Sequence, residues 1–164
     1  MIRLMTAKDS MHVQQIVLHT WSETYKGIIP KDVQKSFIHR SYSDAMIMKR
    51  MEKTYVLVAE HQGVPIGFAN FTKRDEDGDS ELTAMYILPS HQQNGYGTKL
   101  FDHMLSLLSD AQQLFVYIDG HNAIGRAFCE KQGFQLIDVF EEHFEGYPVE
   151  TAQYVYGIRQ PVLV

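Results

Sequence analysis

The sequence contains a single cysteine, Cys129. One thiol cannot form an internal disulfide or supply a cysteine-based zinc site, which fits a reducing compartment. Long apolar runs are missing too. Nothing approaches the ~20 residues of a membrane-spanning helix, and the opening MIRLMTAKDS lacks the apolar core of a secretory signal. The expectation is a cytoplasmic protein with no membrane partner. Clustered positive charge is also lacking. Lys and Arg never run beyond a pair, Lys73-Arg74 is followed at once by Asp75-Glu76-Asp77, and the formal net charge is -5. Bulk electrostatics therefore argue against a nucleic-acid partner. The eight histidines are scattered, with His12 and His19 seven apart on a predicted helix, so no metal site is expected. There is no internal repeat, low-complexity tract or Pro/Gly-rich linker. The expected organisation is a single domain over residues 1–164.

What is present reads as alternating strands and helices. Ile2-Arg3-Leu4 alternates like a short strand. Asp9 or Ser10 can cap a helix whose apolar face carries Val13, Ile16, Val17 and Trp21. The segment KGIIPKD breaks that helix, and Pro30 suits a new helix start. Ser43-Asp44 can cap a further helix. TYVLVAEH and VPIGFANFTK form a hairpin about Gln62-Gly63, and ELTAMYIL makes a third strand. Leu100, Phe101, Met104, Leu105 and Leu108 recur at helical spacing. LFVYI is a buried-looking strand. Asn122 can cap another helix that ends at Gly133, and FQLIDVF and AQYVYGI finish as strands. Counting the short segment after Pro30 with its helical neighbours, the order is β-αα-βββ-α-β-α-ββ. This is an α+β (mixed α/β) layer, a central mostly antiparallel sheet with helices on both faces.

Chemistry concentrates at Gln92-Gln93-Asn94-Gly95-Tyr96-Gly97, between an apolar strand and an amphipathic helix. The first N–H groups of a helix lack internal partners and favour negative charge. Glycine permits positive φ and close approach of a ligand. The loop can therefore be an anion cradle or a plain strand-to-helix turn. Two familiar phosphate loops do not fit. Gly97-Thr98-Lys99 has the wrong order for a P-loop, and the third glycine of a dinucleotide fingerprint is Leu100.

The stretch resembles the acyl-CoA motif of the GNAT superfamily of N-acetyltransferases, Gln/Arg-x-x-Gly-x-Gly/Ala, filled by Gln92, Gly95 and Gly97. The preceding ELTAMYILP is similar to that family's fourth strand. NAIGRAFCEKQGF, Asn122 to Phe134, is similar to its Asn-x-x-Ala-x-x-Phe-Tyr-x-Lys-x-Gly-Phe segment. WSETYKGIIP resembles the first helical region of small bacterial members. The resemblance is strong over residues 81–134 and extends loosely to the whole chain.

It implies an acetyl-CoA-dependent transferase acting on a small-molecule or peptide amine by direct attack in a ternary complex. The same fold could instead serve as a non-catalytic acyl-CoA-binding module. It implies no metal and leaves a homodimer open. By resemblance, the backbone of Gln93, Asn94, Gly95, Tyr96, Gly97 and Thr98, with Gln92, would hold the CoA pyrophosphate. Met85, Tyr86 and Ile87 would pair with the pantetheine arm as an added strand. Asn122 would meet the arm, cap its helix, or both. Glu81 is either a base acting through water or a surface glutamate. Cys129 stands where the family usually carries a tyrosine that protonates the departing thiolate. It is either a packing residue or a short acid, and Tyr147 is the substitute acid expected. Trp21, Tyr25 and the loop before Pro30 form a substrate wall, or the Trp–Tyr pair is part of the core. Glu141, Glu142, Glu145 and Glu150 either attract a cationic amine or form a solvated rim.

Overall fold

The computed structural model describes residues 1–159. Seven strands form one sheet in the order β1-β2-β3-β4-β5-β7-β6. They are β1 (Ile2–Leu4), β2 (Tyr55–His61), β3 (Val64–Phe71), β4 (Asp79–Ile87), β5 (Gln113–Asp119), β6 (Gln135–Phe144) and β7 (Tyr147–Gly157). Three helices link β1 to β2: α1 (Ser10–Thr24), α2 (Lys31–Ser41) and α3 (Asp44–Lys53). The segment after Pro30 is thus a full helix, and the αα of the sequence reading becomes ααα. Two more helices, α4 (Tyr96–Leu107) and α5 (Ala123–Gln132), flank β5 in sequence.

Local signals act where the sequence places them. Ser43 accepts a hydrogen bond from the Met46 amide at 3.3 Å to start α3. Asn122 accepts one from the Gly125 amide at 2.9 Å to start α5. Gly133, at φ +102°, turns the chain out of α5.

The sheet is buried between two apolar clusters. On one face, α4 and α5 bring Leu100, Met104 and Cys129 against Leu57, Phe71 and Leu114. On the other, α1, α2 and α3 bring Val13, Ile16, Ile38 and Ile47 against Val58 and Phe68. Consecutive residues Leu57 and Val58 therefore serve opposite cores, as the period of a strand requires.

Every ladder is antiparallel except β4–β5. That parallel pairing joins only Asp79–Leu82 to Gln113–Val116. A register shift opposite Asn70/Phe71 kinks β4. Leu82 consequently faces α4, while Ala84 packs toward α1.

Candidate active site

Beyond Leu82 and Val116 the two central strands part, and among the described residues the rest of β4 has no partner on its β5 side. The register on β3 decides which backbone groups are left over. Leu88 donates to the Ile66 carbonyl at 2.8 Å, so Tyr86 and Phe68 form a hydrogen-bonded pair, and Met85 and Ile87 sit in non-hydrogen-bonded positions. The N–H and C=O of Met85 and Ile87 therefore point into the gap between β4 and β5. The backbone of Tyr86 is committed to β3. This corrects the expectation that Met85, Tyr86 and Ile87 all offer backbone groups to a ligand arm. The Ile87 carbonyl is taken as well: it accepts from the Gln92 side chain at 3.0 Å. Gln92 thus ties the loop to the strand end and leaves Met85 N–H, Met85 C=O and Ile87 N–H without a partner among the described residues.

The gap runs toward the start of α4. Gly95 is the residue before that helix, at φ +84° in the left-handed region, and no side chain caps the helix. The amides of Tyr96, Gly97 and Thr98 find no acceptor among the described residues. Gln93 also holds a positive φ, +62°, and Gln93 and Asn94 are exposed. The two glycines differ in purpose. A Cβ on Gly95 would meet nothing within 4 Å, whereas one on Gly97 would lie 3.0 Å from the Phe128 ring of α5. Gly97 therefore lets α5 pack on the first turn of α4. That adds a packing role to the close approach of a ligand that the sequence suggests for it. The Tyr96 hydroxyl lies 2.8 Å from His61 Nδ1 at the end of β2, fixing the side chain that opens the helix.

Asn122 stands at the end of the loop after β5. Its Oδ1 is spent on the Gly125 amide, and its Nδ2 has no partner among the described residues. The cap and a contact to a ligand are compatible. Cys129 is 4% exposed and sits within the α4–α5 core. Burial pushes its thiol up to about 12, with Glu130 adding to the effect. A thiol so placed is neither a ready nucleophile nor a solvent-connected acid. The packing reading of Cys129 is the one the geometry supports.

The face of β4 opposite α4 carries the groups expected for the second substrate. Glu81 neighbours Leu82 and so lies on the α1 side of the sheet. It is solvent-exposed, yet partial desolvation raises its carboxyl above the ordinary value. Trp21 is 7% exposed, stacks on Phe37 at 4.9 Å and donates from Nε1 to the Tyr86 hydroxyl at 3.2 Å. It is packing more than surface. Tyr25 is half-buried beside it, its ring 4.9 Å from Trp21. Burial raises the Tyr25 hydroxyl, with contributions from Tyr86, Asp119 and Glu142. Phe144, at the end of β6, closes this cluster 4.6 Å from Phe37.

Tyr147 opens β7 opposite Phe144 of β6. It lines a cleft with the α1–α2 connection and shares that cleft with no residue of β4, the Gly95 loop or α5. Of the acidic group on the last hairpin, Glu145 pairs with Arg40 at 2.7 Å and Glu142 accepts from Thr151 at 2.6 Å. Of the two, only Glu145 is paired with a cation. The sequence reading takes in the loop before Pro30, and with it Lys26, but not the cleft residues Lys31 and Gln34 beyond it. Their signal was the helix break KGIIPKD, which marks a loop without revealing what it faces. Separately, the exposed turn of Asp75, Asp77 and Asp79 brings three carboxylates within 4.8 Å of one another.

The profile of the family described as Acetyltransferase (GNAT) family matches residues 15–134. The uncharacterized N-acetyltransferase YuaI of Bacillus subtilis is 28% identical over 149 residues, covering 88% of this chain and 84% of YuaI. Among solved structures, the PaiA N-acetyltransferase of Thermoplasma acidophilum, in complex with coenzyme A, superposes with a TM-score of 0.79. It is 20% identical, over 95% of this chain and 98% of that one. YncA, a putative acetyltransferase of Salmonella typhimurium with acetyl-CoA as its cofactor, gives a TM-score of 0.72 at 19% identity, over 100% of this chain and 96% of that one. The fold, the uncapped loop and the family match agree: the chain belongs to the GNAT acetyltransferase family.

Proposed function

We propose that the chain is an acetyl-CoA-dependent N-acetyltransferase that modifies a primary amine of a small molecule or peptide by direct attack in a ternary complex. The carrying observation is the meeting of two unsatisfied backbone sets, Met85 and Ile87 in the β4–β5 gap and Tyr96–Thr98 at the start of α4. These residues fit the cosubstrate. An extended arm with amides complements the first set as a strand would. A pyrophosphate complements the second, because the uncapped end of α4 concentrates positive potential. Asn122 Nδ2 is a further donor to the arm.

When bound, acetyl-CoA supplies an activated acetyl thioester. The chain's own groups do the remaining work. Ile87 N–H, unpaired and held in place by the Gln92 tie, is the donor for the oxygen on which charge develops. An acceptor amine with a reference pKa near ~10 is mostly protonated at neutral pH and must lose a proton. Glu81, made more basic by desolvation, takes that proton through water. Direct transfer is favoured because Cys129, the sole thiol of the chain, is buried and protonated. Nothing on α5 replaces the family's tyrosine, so the departing thiolate leaves without a side-chain acid from that helix.

That same vacancy of the tyrosine role favours a second reading, a non-catalytic acyl-CoA-binding module. Thiol release from acetyl-CoA, followed across polyamines, amino acids, aminoglycosides and peptides, separates the two. Acceptor-dependent release establishes the enzyme. Tight CoA binding with no release from any acceptor establishes the module, and absence of CoA binding overturns both.

A further inference from the structure

The loop that carries the free amides also carries a reactive pair. Asn94, one of three asparagines in the chain, is followed by Gly95. The backbone nitrogen of the residue after an asparagine can attack its side-chain amide and close a five-membered ring. Three conditions favour the attack: a next residue with no Cβ to crowd the approach, a next N–H not tied to an acceptor, and a segment free to bend.

All three hold at Asn94. Asn94 and Gly95 are exposed. A Cβ at Gly95 would meet nothing within 4 Å, so the approach is open. The amides of Gln93, Asn94 and Gly95 have no acceptor among the described residues, and the Gln92 side chain is what ties the loop to the strand end. A segment with so few hydrogen bonds opens at little cost. The uncapped start of α4 assists, because its positive potential favours the anion formed when Gly95 N–H loses its proton.

The same chemistry is blocked elsewhere. Asn70 is 1% exposed and precedes Phe71, and its side chain is bound by Arg50, Thr54 and Tyr55. Asn122 precedes Ala123, and its Oδ1 accepts from the Gly125 amide at 2.9 Å. The aspartate–glycine pairs Asp77-Gly78 and Asp119-Gly120 could close a similar ring, but their glycine amides are taken. Gly78 donates to the Asp75 carbonyl at 3.1 Å and Gly120 to the Glu150 carbonyl at 2.7 Å.

Resting on the acetyltransfer reading, we propose that Asn94 is a self-modification site that disables cosubstrate binding in chains left without cosubstrate. Gly95 N, having given its proton to solvent hydroxide, attacks Asn94 Cγ. The N–Cγ bond forms, the Cγ–Nδ2 bond breaks, and Nδ2 leaves as ammonia with a proton from water. Water then opens the cyclic imide at either carbonyl, giving aspartate or isoaspartate. Nothing is oxidised or reduced. Both products place a carboxylate two residues before α4. There it competes with a phosphate for the first-turn amides, and isoaspartate also lengthens the main chain by one carbon ahead of the left-handed turn. A bound pyrophosphate protects the site, since it gives the loop amides an acceptor. The occupied protein persists and the idle protein ages.

The test ages the full chain in mildly alkaline buffer with and without CoA. Peptide mapping reads each asparagine by the mass difference between amide and acid, and enzymatic methylation scores isoaspartate. Asn94 should convert while Asn70 and Asn122 stay intact. CoA at about a hundred times its Kd leaves about one chain in a hundred free, so conversion should slow about a hundredfold. Asn94→Asp isolates the charge. Calorimetry should show its CoA binding weakened about tenfold or more, the scale of one charge-assisted hydrogen bond. Its melting temperature should not fall, because an acid near a helix start is favourable. No conversion at Asn94, conversion at an equal rate beside saturating CoA, or parent-like CoA affinity in Asn94→Asp would each overturn the proposal. A parent chain that converts at Asn94 yet binds no CoA keeps the modification site and overturns the acetyltransfer reading.

Discussion

Gly95 is where backbone conformation and ligand binding can be separated most cleanly. Its φ of +84° lies in the left-handed region, and its missing Cβ faces open space. Substitution there adds strain without a clash. Holding an L-residue in that conformation costs about 1–2 kcal/mol, more for a β-branched side chain, while asparagine tolerates it. Gly95→Asn should therefore leave the loop intact. Gly95→Val should drive the loop to another conformation, turning the Tyr96–Thr98 amides away from their common focus. Losing two charge-assisted hydrogen bonds at about 1.5–3 kcal/mol each weakens binding by about a hundredfold or more. The melting temperature should fall by only about 2–4 °C per kcal/mol in a chain of this size. Calorimetry with CoA, beside thermal melts of parent, Asn and Val variants, gives all three numbers. A folded Gly95→Val protein that binds CoA as tightly as the parent would refute the reasoning, because the left-handed turn would then have no bearing on the ligand.

Other outcomes follow from the same geometry. Gln92→Leu frees the Ile87 carbonyl to compete for donors in the gap and should lower kcat about tenfold, with the melting temperature little changed. Glu81 has a raised carboxyl pKa, so its base form appears as pH rises through a value above the ordinary carboxylate range. Glu81→Gln should lower turnover most near neutral pH, and the deficit should close as pH climbs toward the amine's own pKa near ~10; a parallel pH–rate profile in the variant would remove Glu81 from the chemistry. Cys129→Ala should cost about 1–2 kcal/mol in chemical denaturation, as a partial cavity does, and leave turnover within a few-fold of the parent. A hundredfold loss of turnover at preserved stability and CoA affinity would contradict the packing role.

Local features of this fold were legible in the sequence because each is decided within a few residues. Ser43 and Asn122 cap the helices they precede, and Gly133 ends α5 as a C-terminal glycine should. The loop at Gly95 was legible for the same reason: its function lies in its own backbone. Other features depend on residues distant in sequence. β7 enters between β5 and β6, which no local pattern announces. The shift opposite Asn70/Phe71 decides which of Leu82 and Ala84 faces which core, and the ladder beyond it decides that Met85 and Ile87, not Tyr86, offer backbone groups. Gly97 reads like Gly95 in sequence, but its reason is Phe128, thirty-one residues on. Tyr147 was legible as a residue of the last hairpin, but the α1–α2 connection that shares its cleft was not.

The central claim is that the cosubstrate completes β4 and the start of α4. Residue-resolved amide hydrogen exchange with and without CoA tests it directly. The account requires new protection at Met85, Ile87, Tyr96, Gly97 and Thr98, whose amides have no acceptor among the described residues, and little change at Tyr86, already paired with Phe68. Binding of CoA that leaves Met85 and Ile87 exchanging as before would contradict it.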